Sequence, residues 1–95
     1  MIRARTELVA TQMAPRGAFM QELLGALEAA VSTCNEVAAY GASDGGDAVT
    51  VELLLDSTNY GHAESLLDDV ATAVAEALPD AYAIERTFTE LNLAA

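Results

Sequence analysis

The sequence predicts an α+β domain with the element order β-α-β-β-α-β, and three observations carry that expectation. Two stretches, residues 20–31 and 63–78, repeat apolar residues at helical spacing. Three others, residues 2–13, 48–56 and 81–93, alternate at period two. A glycine-centred cluster, Ser43-Asp44-Gly45-Gly46-Asp47, separates the middle strand from the segment before it, as a hairpin loop does.

Residues 2–13 open the chain as a strand. Ile2, Ala4, Leu8 and Ala10 share one face; Arg3, Arg5, Glu7, Val9, Thr11 and Met13 share the other. Ala14-Pro15-Arg16-Gly17 breaks it. From Ala18 the period becomes helical, with Met20, Leu23, Leu24, Leu27 and Val31 as the apolar stripe. Gly25 costs this helix about 1 kcal/mol relative to Ala unless a neighbour packs close against it.

The helix is expected to end near Thr33, because Ser32, Thr33, Cys34 and Asn35 are successive weak helix formers. Residues 36–42 then form the second strand. Its Ala and Gly content makes it a poor one, and a helix running on to Tyr40 would give β-α-β-α-β instead. Residues 48–56 follow as the third strand, with Val49, Val51, Leu53 and Leu55 on one side and Thr50, Glu52 and Leu54 on the other. Ser57-Thr58-Asn59 offers capping side chains to a second helix, striped by Ala63, Leu66, Leu67, Val70, Val74 and Leu78 and stopped by Pro79. The last strand, 81–93, places Tyr82, Ile84 and Phe88 on one side and Thr87, Thr89, Leu91 and Leu93 on the other.

This order is the ferredoxin-like, split-βαβ arrangement. Right-handed crossovers put both helices on one face of a four-stranded antiparallel sheet. With no linker or repeat in sight, residues 1–95 are read as a single domain. Uninterrupted alternation sends Val9, Met13, Leu54, Thr89, Leu91 and Leu93 to the face without helices. Apolar residues on an open sheet face suggest a second copy or a protein partner, so the expected state is a homo-oligomer.

Composition narrows the function classes. The formal net charge is −11, from 15 acids against four arginines and no lysine. Residues 22–95 hold 14 of those acids and only Arg86. Direct nucleic-acid binding is disfavoured, since phosphate neutralisation needs clustered cations. No apolar run is long enough to span a bilayer, and no apolar segment follows Arg3 and Arg5 as in a secretory leader, so a cytoplasmic, non-membrane protein is expected. One cysteine excludes an internal disulfide and a multi-cysteine zinc site.

Chemistry-bearing residues are few. His62 is the one side chain that titrates near neutrality unaided; with Tyr60 and Tyr82 it marks a possible pocket between sheet and helices. Cys34 lacks a basic neighbour in sequence and reads as a small hydrophobe. Asp44-Gly45-Gly46-Asp47 lacks the ligand series of a calcium loop. No catalytic constellation, cofactor motif or metal-ligand set emerges. Three functions remain: a non-catalytic interaction module docking through its open sheet face or an edge strand; a small dimeric α+β-barrel enzyme or ligand-binding protein; and an acidic decoy of a basic protein.

Overall fold

Burial alternates strictly along the first strand, β1 (Ile2–Ala10): Ile2, Ala4, Thr6 and Leu8 are fully covered, and the residues between them are not. In the computed structural model, which describes residues 1–10, 16–44, 48–78 and 82–94, β1 is followed by α1 (Arg16–Val31), β2 (Val37–Asp44), β3 (Val49–Leu55), α2 (Tyr60–Ala77) and β4 (Ile84–Leu93). The four strands form one antiparallel sheet in the order β2-β3-β1-β4. That is the ferredoxin-like arrangement. The expected continuation of β1 to Met13 falls on residues outside those described.

Local chemistry explains the helix ends. The Ser32 hydroxyl donates to the Ala29 carbonyl (2.7 Å) and the Thr33 hydroxyl to the Ala30 carbonyl (3.1 Å), satisfying acceptors that the last turn of α1 leaves open. The chain then turns, with the Cys34 amide donating to Val31 (3.0 Å), and enters β2. The single long helix through Tyr40 does not form. At the start of α2, the Asn59 side chain accepts the His62 amide at 3.0 Å, an N-cap bond. Leu78, which precedes Pro79 in the sequence, has left the helix for extended backbone (φ −82°, ψ 151°).

One core unites the inner faces. It joins Ile2, Leu8, Val51, Leu53 and Leu55 of the sheet to Leu23 and Leu27 of α1 and to Leu67 and Val74 of α2. Both helices therefore cover the same sheet face. The α1 stripe is rotated from its expected position: Phe19 is buried within it, whereas Leu24 is 41% exposed at its margin. Gly25 lies on the outer side of α1, where an added Cβ would meet nothing within 4 Å.

β4 departs from the uninterrupted alternation expected of it. Its pairing with β1 slips between Glu7 and Leu8: Glu7 faces Phe88, but Leu8 faces Arg86. Thr87 is the extra residue, a bulge that exchanges the two faces of everything after it. Leu91 and Leu93 pair with Ala4 and Ile2, and Thr89 with Thr6, so all three lie on the helix side. Glu90 and Asn92 take their place on the open side, beside Glu85, which precedes the bulge. Of the residues expected there, Val9 and Leu54 stand on the open side, both half-buried, and Met13 lies outside the described residues.

Candidate functional site

Between the two helices, on the side away from the sheet, lies a groove of about 640 Å³. Its walls follow from sequence spacing. Ala26, Ala29 and Ala30 stand at i, i+3 and i+4 on α1, and Thr33 follows in the turn just past its end. Leu66, Asp69, Val70, Ala73 and Ala77 occupy a corresponding stripe on α2. Short side chains on the facing stripes leave open the space that leucines would fill. The turn from α1 into β2 closes one end with Cys34, Asn35 and Glu36.

At that end the Glu36 carboxylate meets the His62 imidazole, Oε2 against Nε2, tying the α1–β2 turn to the first turn of α2. Both side chains are about half exposed. The turn is fixed from its other side by the Asp56 amide, which donates to the Glu36 carbonyl at 2.7 Å. Glu36 holds Nε2, and His62 itself stands just outside the groove lining. Cys34 is partly covered in the same wall. Among the described residues, no three His, Cys, Asp or Glu side chains converge as a metal site would require.

Tyr60 begins α2 and is 48% exposed, close in sequence to His62. Tyr82 lies beyond the other end of that helix. Eighteen residues at 1.5 Å per residue make α2 roughly 27 Å long, so Tyr82 and His62 do not line one pocket. Tyr82 packs its ring edge-on against Phe19 (centroids 5.3 Å apart, planes at 63°), pinning the first turns of α1 to the entrance of β4. Hydrogen bonding to Glu22, then burial, then the Glu22 charge raise its hydroxyl pKa above the ordinary tyrosine value. Ala83 follows at φ 48°, a left-handed conformation unusual for a residue with a side chain.

The open sheet face is mostly polar. Arg3 pairs with Glu52 at 3.3 Å, and Arg5 with Glu90 at 3.9 Å. Sequence reasoning missed the groove because an alanine stripe carries no chemical signature. It missed the Glu36–His62 pair because 26 residues separate its members. The i, i+3, i+4 spacing of Ala26, Ala29 and Ala30 along the edge of the α1 core stripe was the signal available.

The sequence matches no protein-family model and no curated protein. Among solved structures, the chain is similar over 100% of its length to 93% of a crystal structure from Deinococcus radiodurans, described as a "putative antibiotic biosynthesis monooxygenase", with a TM-score of 0.63 and 15% sequence identity. At that identity the likeness speaks for the fold. No helix among the described residues is long and apolar enough to cross a membrane.

Proposed function

We propose that the chain is a small ligand-binding or catalytic α+β domain that takes an organic molecule into the groove between α1 and α2. The groove itself carries the reading: about 640 Å³ lies within the range of roughly 300–1,000 Å³ usual for small-molecule sites, and an acid–base pair stands at one end. Alanine walls provide apolar contact, Thr33 and Asn35 provide neutral polar anchors, and Glu36, held by His62 from outside the groove, places a carboxylate at its end. The name of the Deinococcus neighbour supports a small-molecule role and makes oxygenation the first chemistry to assay.

The test is an amide NMR titration of the intact chain with a panel of small aromatic and aliphatic compounds. Shifts should concentrate in residues 26–36 and 66–77. Ala73→Leu, at an exposed position that fills the groove, should remove them. Shifts that map elsewhere, or that survive the filling, refute the proposal. His62→Gln should preserve binding, because His62 stands outside the lining.

A second reading, docking through the open sheet face or an edge strand, keeps Val9 and Leu54 as its apolar anchors. Thr89, Leu91 and Leu93 leave that face for the helix side, and Met13 lies outside the described residues.

A further inference from the structure

We infer that the ligand of the groove is an organic cation, an apolar body bearing an ammonium or similar group. This inference rests on the groove being a binding site and adds the charge of what enters it.

Glu36 and Asp69 are the carboxylates of the lining, placed on opposite walls, one on the α1–β2 turn and the other on α2. No arginine lines the groove among the described residues. Arg3 and Arg5 pair on the far side of the sheet, and Arg86 is bound to Asp68 between α2 and β4. His62 does not line the space; it meets one oxygen of Glu36, and the carboxylate has a second. An anionic ligand would therefore enter against two carboxylates within a chain of net charge −11, without an arginine among the described lining residues to receive it. A neutral apolar ligand would leave the carboxylates beside apolar surface with less water around them. A ligand with one positive charge satisfies the acidic rim and the alanine walls together. Thr33 and Asn35 then accept hydrogen bonds from its remaining donors.

Three probes of one shape separate the possibilities: 2-naphthylmethylammonium, 2-naphthylmethanol and 2-naphthoate, each titrated into the intact chain and followed by amide shifts in the groove. At about 20 mM salt the ammonium should bind at least about fivefold more tightly than the alcohol, and the carboxylate most weakly. The advantage should shrink at about 300 mM salt. Asp69→Asn should cost the ammonium about two- to fivefold and leave the alcohol unchanged, which also shows that the variant is folded. Glu36→Gln should act in the same direction. If the alcohol or the carboxylate binds the groove as tightly as the ammonium, or if neither substitution touches the ammonium's advantage, the inference is overturned while the groove remains a site. If none of the three shifts the groove, inference and site fall together.

Discussion

Replacing Arg86 with Met tests whether the bulge at Thr87 is held by its neighbour. In a regular strand, residues i and i+3 point to opposite faces. Arg86 and Thr89 share the helix side because Thr87 is inserted between them. The guanidinium uses that geometry fully: Nε donates to Thr6 Oγ1 at 2.9 Å, one terminal nitrogen to Thr89 Oγ1 at 3.0 Å, and the other to Asp68 Oδ1 at 2.5 Å. Thr6 is fully buried, so its bond is the best shielded. The two hydroxyl bonds contribute about 1 kcal/mol each. The Asp68 pair adds no more than about 1 kcal/mol, because that carboxylate is 50% exposed. Met keeps the apolar stem, so the expected loss is about 2–3 kcal/mol, a large share of the roughly 5–15 kcal/mol of a typical domain. Urea unfolding should show the midpoint falling by about 1–2 M with an unchanged slope. Asp68→Asn should cost under about 1 kcal/mol. A loss below about 0.5 kcal/mol in the Arg86 variant, or one equal to that of Asp68→Asn, would refute the account of a bulge clamped by hydroxyl bonds.

Gly25→Ala should stabilise the chain by about 0.5–1 kcal/mol, because the new methyl meets open space and the helix gains propensity; a lower midpoint in urea would contradict that placement. Asn59→Ala should cost about 1 kcal/mol through loss of the α2 N-cap, whereas Asn59→Asp should preserve it, measured by the same unfolding series. Tyr82 has a raised folded-state pKa, so folding favours its protonated form. That contribution is intact below the unfolded value near about 10 and is lost as pH climbs through the folded one. Ultraviolet titration should therefore end at lower pH in Glu22→Gln than in the parent, and coincident curves would dismiss the Glu22 contact.

The element order was legible because each signal is local. Period, cap and breaker residues lie within a few positions of the structure they specify, as Ser32 and Thr33 do at the end of α1 and Asn59 does at the start of α2. The faces of β4 were not legible, because a bulge is a property of two paired strands. Thr87 looks like any other threonine in an alternating run, and the clamp that holds the slip, Arg86 to Thr6, spans 80 residues. Likewise Ala83 adopts φ 48° without the glycine that would have announced it. The candidate site was the least legible part. Its walls are alanines that exclude nothing by themselves, and its polar end depends on β2 returning Glu36 to the start of α2.

The bulge also changes what a second copy would find on the open face. With Leu91 and Leu93 on the helix side, Val9 and Leu54 are what remains described there of the expected apolar set; both are already half-buried, so covering them fully is worth about 1.5–3 kcal/mol. Covering the Arg3–Glu52 and Arg5–Glu90 pairs costs several kcal/mol per ion unless the charges are answered again across the interface. Arg5 is the group with most to gain. Its pair to Glu90 is long at 3.9 Å, and its Nε is covered without a hydrogen-bond partner. Pairing through this face is thus expected only where a carboxylate of the other copy reaches Arg5. Arg5→Met and Leu54→Asp should then each shift light scattering at tens of micromolar toward the monomer. A dimer that ignores both substitutions would have its contact elsewhere on the molecule. Because the groove opens on the opposite side of the domain, ammonium binding to Leu54→Asp should match that of the parent whichever way the scattering falls.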